Sequence, residues 1–194
     1  MKIRVIVPCY NEGEVVLKTY DKLTEIMKKD SLIKNYEYDL LFINDGSIDT
    51  TIHHIKNIVA YDNHVKYLSF SRNFGKEAAM IAGYQHSTMH DAVIMIDGDL
   101  QHPPEYIPQM IEGYIEGYDQ VIAKRNRQGE NFVRKTLSRC YYKLINAFVE
   151  DIQFEDGVGD FRLLSRRAVQ ALTTLDEYNR FSKGCLLYTS PSPR

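Results

Sequence analysis

The chain has 194 residues, of which 44% are hydrophobic and 26% are charged, and its formal net charge at pH 7 is -2. These proportions are those of an ordinary globular domain that can bury a sizeable apolar core. The slight negative charge excludes a general nucleic-acid-binding protein, because affinity for a phosphate backbone requires a large excess of Lys and Arg.

Short apolar runs alternate with longer stretches of helical period. Buried strands are predicted at residues 3–8, 40–44, 65–70, 92–96 and 120–123, with a return to the sheet at 161–164. After the first strand, apolar residues spaced by three and four predict a helix that crosses back over the sheet; they are Val16, Tyr20, Leu23 and Met27. This alternation predicts an α/β fold with a mostly parallel central sheet flanked by helices.

Further helices have recognisable starts. Ser47 is a good N-cap residue and predicts the start of the second helix. The prolines at 103–104 and the acid after them suit the first turn of a helix that ends before Gly117. A polar loop then leads into a helix-like stretch at 132–148, and a short helix is predicted from Arg166.

Polar residues follow four of the predicted strands, at the point where each strand ends. They lie at 10–12, 45–47, 72–73 and 97–99. In an open α/β sheet a ligand binds outside the carboxyl ends of the strands, so this topology brings the four clusters together. Any one cluster alone is also explained as a turn, since Asp, Asn, Gly and Ser are common there. Neither a GxGxxG nor a P-loop motif follows the first strand, which argues against those two phosphate sites.

The sequence Asp97-Gly98-Asp99 carries the most specific chemical signal. It follows an apolar run, and two carboxylates separated by one small residue at a strand end can reach the same hard divalent cation. Gln101 adds a neutral oxygen ligand. Mg²⁺ or Mn²⁺ fits this ligand set, and such an ion would neutralise charge on a bound diphosphate. The alternative interpretation is an ordinary Asp-Gly turn.

A basic segment stands out on this slightly acidic chain. Between Lys124 and Lys143 there are seven Lys or Arg residues and one acid, Glu130. The apolar residues between them describe an amphipathic basic helix that can lie against anionic lipid headgroups at a membrane surface. An ordinary surface helix with a solvated basic face explains the segment equally well.

Four motifs resemble those of family 2 glycosyltransferases, and they are most similar to the polyprenyl-phosphate hexosyltransferases of that family, such as bactoprenol glucosyltransferases and dolichol-phosphate mannose synthases. The motifs lie at 5–12, 44–47, 71–76 and 97–105, in the family's order and spacing. The resemblance implies one catalytic domain of GT-A fold over residues 1–184. Residues 185–194 continue none of the patterns, and we expect them to be a non-native tail.

The resemblance also implies roles for single residues. Those assigned to the nucleotide sugar are Pro8, Tyr10, Glu12, Ile43, Asp45, Asp97 and Gly98. Those assigned to the metal are Asp97, Asp99 and Gln101, and those assigned to the acceptor phosphate are Arg125, Arg134 and Ser138. Catalysis is assigned to Asp99 and to Asp160, a candidate base. A lipid phosphate is already anionic at neutral pH, so the alternative role for Asp160 is to position the acceptor or to pair with Arg162.

The expected activity is the metal-dependent, inverting transfer of a hexose from UDP-glucose or a similar nucleotide sugar to a polyprenyl phosphate. We expect it at the cytoplasmic membrane face, because three scattered cysteines favour a reducing compartment and neither a leader nor a spanning segment is recognisable. The oligomeric state has no signal in the sequence. Two alternatives stay open: a family 2 transferase that acts on a polysaccharide or protein hydroxyl, and a non-enzymatic doubly wound module such as a receiver domain.

Overall fold

The structure is a computed structural model that describes residues 1–124 and 158–174. The strands within these ranges are β1 (Lys2–Cys9), β2 (Glu37–Asn44), β3 (Val65–Ser69), β4 (Ala92–Met95), β5 (Gln120–Lys124) and β6 (Val158–Ser165). The helices are α1 (Val16–Lys34), α2 (Thr51–Tyr61), α3 (Lys76–Gln85), α4 (Ile107–Ile115) and α5 (Arg166–Thr174), and a 3-10 turn at Pro104–Tyr106 precedes α4. Every predicted strand is present, with small shifts at its ends. The helix expected at 132–148 and the tail at 185–194 lie outside the described residues.

The sheet order β3-β2-β1-β4-β6-β5 places β1 between two parallel neighbours. β1 pairs in parallel with β2 and β4, and β2 pairs in parallel with β3. β6 is antiparallel to both of its neighbours, β4 and β5. The predicted mostly parallel sheet flanked by helices is therefore confirmed. Because β1, β2 and β4 are adjacent and parallel, their carboxyl ends meet at one edge of the sheet.

The central strands are almost wholly apolar because helices cover both faces of the sheet. Val5 of β1 packs into one core cluster with residues of α1 and α4, while Ile6 packs into a second with residues of α3 and α5. The stripe predicted for α1 is buried along its whole length. Burial of one side chain such as Leu23 stabilises the fold by about 1.5–3 kcal/mol.

The second helix begins later than the sequence predicts. Ser47 is not its N-cap, because α2 begins at Thr51, whose N–H donates to Asp49 Oδ1 at 3.0 Å. The Ser47 hydroxyl instead accepts a hydrogen bond from the N–H of Asn11 at 3.0 Å. The prediction is wrong because a loop distant in sequence competes successfully for this hydroxyl.

A buried ion cluster lies near the amino ends of β1 and β2. Arg4 donates to Asp39 twice, from Nε to Oδ1 at 2.5 Å and from Nη2 to Oδ2 at 2.8 Å. Lys66 Nζ and His90 Nε2 each lie 3.2 Å from Asp39 Oδ2. Burial alone would raise the pKa of Asp39, but hydrogen bonds from Arg4 and His90 outweigh it and hold that pKa well below its usual value. The charged form of Asp39 is therefore the form that the fold requires.

Arg4→Met should destabilise the fold, because it leaves the buried carboxylate of Asp39 without its bidentate partner. We expect the free energy of unfolding at pH 7 to fall by about 3–5 kcal/mol, as measured by urea denaturation. A carboxylate with a lowered pKa contributes stability above its unfolded pKa and loses it as the pH falls. The difference between variant and parent should therefore narrow below about pH 4.

The matched control is Lys18→Met, which removes one positive charge from an exposed position on α1. This control should change the free energy of unfolding by no more than about 0.5 kcal/mol. Equal stabilities of the two variants would contradict the role assigned to the ion cluster.

Candidate functional site

A cavity opens at the edge of the sheet where the carboxyl ends of β1, β2 and β4 meet, and its volume is about 260 Å³. Its walls come from the ends of these strands and the loops after them, from the loop between β3 and α3, and from the start of α3. The lining residues are Pro8, Cys9, Tyr10, Glu12, Asp45, Asn73, Gly75, Lys76, Ala79, Asp97, Gly98 and Asp99. Most of the residues that the resemblance assigns to a nucleotide sugar or a metal therefore share one cavity.

The loops after β1 and β2 are joined by hydrogen bonds from backbone to side chain. The N–H of Asn11 donates to Ser47 Oγ at 3.0 Å, and the N–H of Glu12 donates to Thr51 Oγ1 at 2.8 Å. Asn11 has a φ of 55°, a left-handed conformation that Asn tolerates better than most residues. These contacts fix the loop in which Tyr10, 44% exposed, and Glu12 line the cavity.

Asp45 is buried after the end of β2 and fixes the loop that precedes α3. Its Oδ1 accepts a hydrogen bond from the N–H of Phe74 at 2.7 Å, and its Oδ2 accepts one from the N–H of Gly75 at 2.9 Å. Gly46 permits this approach: its φ is +63°, and a Cβ there would lie 2.2 Å from the carbonyl carbon of Arg72. Asp45 therefore holds the loop before α3 in place, and its contact with a nucleoside stays a prediction.

The turn after β4 lies against the end of β1. A Cβ on Gly98 would lie 3.2 Å from the carbonyl oxygen of Pro8, closer than an ordinary contact, so a larger residue would push the turn away from β1. Leu100 has a φ of 57°, which few non-glycine residues adopt. Asp99 Oδ1 accepts a hydrogen bond from the N–H of Gln101 at 3.0 Å, which fixes the turn from within.

Negative charge is concentrated around the cavity. Burial raises the pKa of Glu12, and nearby carboxylates raise it further. These carboxylates belong to Asp99, Asp49 and Asp97. Hard oxygen donors of this kind fit a divalent cation, and Mg²⁺ is commonly held by one or two protein carboxylates together with phosphates and waters. Within residues 1–124 and 158–174, no group of three or more His, Cys, Asp or Glu side chains is assembled as a complete metal site.

Lys76 connects two carboxylates of the site, and the sequence interpretation assigned it no role. Its Nζ lies 2.6 Å from Asp97 Oδ1 and 2.7 Å from Asp160 Oδ2. Burial lowers the pKa of Lys76, but hydrogen bonds to Asp160 and Asp97 outweigh it, so the net shift is upward. A lysine in the first turn of a helix opposes the helix dipole, which favours acids there. The signal in the sequence that could have found Lys76 is its place at the end of the motif at 71–76.

Other predicted residues lie apart from the cavity walls. Ile43 is fully buried and packs in the apolar core, so its side chain does not face the cavity assigned to the nucleotide sugar. Gln101 is exposed beside the turn and is not among the lining residues. Asp160 is connected to the site through Lys76, and Arg162 Nη2 lies 4.0 Å from Asp160 Oδ1. The predicted acceptor-phosphate residues Arg125, Arg134 and Ser138 lie outside the described residues.

Residues 4–173 of the chain match the model of the protein family described as Glycosyl transferase family 2. The chain is 55% identical over 182 residues to a protein named putative glycosyltransferase CsbB from Bacillus subtilis (strain 168), across 94% of this chain and 54% of that protein. It is 43% identical over 187 residues to the bactoprenol glucosyl transferase of Shigella phage SfX, across 96% of this chain and 59% of that protein. The chain thus spans little more than half the length of these relatives.

The fold also matches solved structures. One is the mannosyltransferase PcManGT from Pyrobaculum calidifontis in complex with GDP-Man and Mn²⁺, with a TM-score of 0.60 and 16% sequence identity, across 88% of this chain and 46% of that chain. At this identity the likeness concerns the fold alone. The expected GT-A architecture is confirmed by such neighbours.

Asp45→Asn should loosen the loop before α3, because an amide offers one acceptor oxygen where the carboxylate offers two. One of the N–H groups of Phe74 and Gly75 then loses its partner. We expect faster amide hydrogen exchange at these two positions and a fall of about 1–3 kcal/mol in the free energy of unfolding. Asp21→Asn, at an exposed position on α1, is the control. Unchanged protection of both amides would mean that the Asp45 carboxylate does not hold the loop.

Proposed function

The chain belongs to glycosyl transferase family 2, and from that premise we propose that it moves a hexose such as glucose from a nucleoside diphosphate to a polyprenyl phosphate. The observation that carries the proposal is the convergence of four acidic side chains and the ring of Tyr10 on one cavity at the carboxyl edge of the parallel strands. The relative from Shigella phage SfX is named a bactoprenol glucosyl transferase, which supports both the sugar and the acceptor class.

The cavity is assigned to the donor, UDP-glucose or a similar nucleotide sugar. Its position outside the carboxyl ends of β1, β2 and β4 is where open α/β sheets bind nucleotides. Tyr10 offers a half-exposed ring that suits stacking on a base, and Pro8 extends this apolar surface. Glu12 and Asp45 add acceptor oxygens for ribose or base hydrogen bonds.

The metal is assigned to Asp97 and Asp99, with Gln101 near them on the same turn. Carboxylate and amide oxygens suit Mg²⁺ or Mn²⁺, and the small number of protein ligands leaves coordination positions for a diphosphate. A bound ion would neutralise the charge that develops on the leaving diphosphate. The hydrogen bond from the N–H of Gln101 to Asp99 holds that carboxylate before a ligand arrives.

The reaction is a direct displacement. An oxygen of the lipid phosphate forms a bond to the anomeric carbon, and the bond from that carbon to the nucleoside diphosphate breaks with its electron pair, so the configuration inverts. A phosphate with a second pKa near about 6 is already anionic at neutral pH, so it needs no base to remove a proton. Asp160 then serves to position the acceptor or acts as a base only toward a hydroxyl acceptor.

The acceptor phosphate is assigned to Arg125, Arg134 and Ser138 within the basic segment. Arginine pairs with phosphate through two parallel hydrogen bonds, and a run of basic residues favours an anionic membrane surface. These residues fall outside the described ranges, so this part of the proposal rests on the sequence and on the bactoprenol relatives. Among the described helices, none combines the length and apolar character needed to cross a bilayer. We propose that the chain acts at the cytoplasmic membrane face.

Asp99→Asn tests the metal assignment. The variant keeps the side-chain volume but replaces a charged ligand with a neutral one, so Mn²⁺ should bind at least about tenfold more weakly in the presence of nucleotide sugar. Transfer of radiolabelled glucose from UDP-glucose to a polyprenyl phosphate should fall below about 1% of the parent rate. Asp21→Asn should behave like the parent. Near-normal transfer by Asp99→Asn at limiting Mn²⁺ would remove Asp99 from the metal site.

Arg134→Lys tests the acceptor assignment. Lysine keeps the positive charge but cannot form the planar, two-bond contact, so transfer to a short, water-soluble prenyl phosphate should fall about tenfold or more. Affinity for UDP-glucose and Mn²⁺, measured by calorimetry, should be nearly unchanged. Arg139→Lys in the same segment is the control. If Arg134→Lys transfers to the soluble acceptor at the parent rate, Arg134 is a membrane contact and the phosphate binds elsewhere. Transfer to a sugar hydroxyl instead would favour the polysaccharide-acting alternative.

A further inference from the structure

We infer that Lys76 is a positioning residue that occupies Oδ1 of the proposed metal ligand Asp97 in the donor-free protein, so that a divalent cation must compete with it for that oxygen. The same ammonium holds Asp160, and the exchange therefore couples metal binding to the strand that carries Asp160. This inference rests on the proposed metal site, because Asp97 is shared by the two cations.

Three separate elements bring these groups together. Lys76 is the first residue of α3, Asp97 follows β4, and Asp160 lies in β6. β6 runs antiparallel to β4 with Met95 opposite Arg162, so continuing this register by two residues brings Asp160 opposite Asp97. Two carboxylates on neighbouring strands repel each other unless a cation lies between them. The Nζ of Lys76 supplies that cation, at 2.6 Å from Asp97 and 2.7 Å from Asp160.

The position of Lys76 is built into the fold. Phe74 and Gly75 precede Lys76, and their N–H groups donate hydrogen bonds to the carboxylate oxygens of Asp45 at 2.7 and 2.9 Å. The ammonium therefore reaches the carboxylates from a fixed backbone.

The partial burial of the contact makes the competition significant. The side chains of Asp97 and Asp160 are 22% and 13% exposed and that of Lys76 is 44% exposed, so water screens the pairing from the lysine side and less from the side of the carboxylates. Asp97 Oδ1 cannot hold an ammonium at 2.6 Å and a dehydrated divalent ion at the same time, since like charges at that distance repel. Lys76 therefore weakens metal binding until the negative charge of a donor diphosphate arrives with the metal.

Lys76 connects the proposed metal ligand Asp97 to Asp160 at each stage of metal binding. Before the donor binds, Asp160 is tied to the metal site through Lys76. When a metal takes Asp97, Lys76 keeps Asp160 as its carboxylate partner, and the cluster holds Asp160 beside the newly occupied donor site. Lys76 thus holds Asp160 both before and after the metal takes Asp97.

The experiment measures Mn²⁺ binding to the donor-free protein by electron paramagnetic resonance of the free ion. Lys76→Met removes the competing charge, so the dissociation constant for Mn²⁺ should fall by about fivefold. Lys76→Arg keeps a cation in place and should bind Mn²⁺ within about twofold of the parent. Lys56→Met, which removes one charge from an exposed position on α2, is the control for the change in net charge.

Thermal unfolding supplies a second readout that needs no catalysis. In the presence of a chelator, Lys76→Met should have a lower midpoint of thermal unfolding than the parent, because Asp97 and Asp160 then repel each other. Saturating Mn²⁺ should raise the midpoint of the variant more than it raises that of the parent. Equal or weaker Mn²⁺ binding by Lys76→Met, or no binding by either protein, overturns the inference. Mn²⁺-dependent binding of UDP-glucose by the parent is measured separately. If the parent does not bind UDP-glucose, the proposed function is wrong; if it does bind but Lys76→Met does not bind Mn²⁺ more tightly, only the role of Lys76 is wrong.

Discussion

A buried carboxylate needs hydrogen-bond donors, and Asp45 finds them in the backbone N–H groups of Phe74 and Gly75. This one contact joins the end of β2 to the loop that starts α3. It sets where α3 begins, and hence where Lys76 points. The close approach of Gly46 to the backbone of Arg72 leaves the loop no room to shift. The wall of the cavity formed by the start of α3 therefore depends on this contact.

Two charged clusters lie at opposite ends of the same apolar sheet, and they serve different purposes. Near the amino ends of the strands, Arg4 and Asp39 are buried and pair with each other through two hydrogen bonds. At the carboxyl edge, the acids outnumber the bases, and burial together with neighbouring acids raises the pKa of Glu12. In the first cluster the single carboxylate is surrounded by basic side chains, and the cluster contributes to stability. The second is rich in negative charge and is suited to binding a cation with an anionic ligand.

Membership of glycosyl transferase family 2 explains why the acids lie where they do. The proposed function requires a diphosphate and a divalent ion to be bound together at the edge where the strands end. Glycine at position 98 lets the turn after β4 lie close to β1, and Leu100 accepts a strained backbone in the same turn. The cavity is thus shaped by backbone geometry, and its side chains supply the charge.

The sequence by itself determined the succession of strands and helices along the chain, the apolar stripe of α1, and the polar clusters that line the cavity. These features are local: periodicity reports which residues are buried, and a polar residue after an apolar run marks the end of a strand. Only the tertiary structure decided that Ser47 accepts from Asn11, that Ile43 packs in the core, and that Lys76 bridges Asp97 and Asp160. Each of these depends on the pairing of elements far apart in the chain, since the antiparallel insertion of β6 beside β4 leaves no mark in local periodicity.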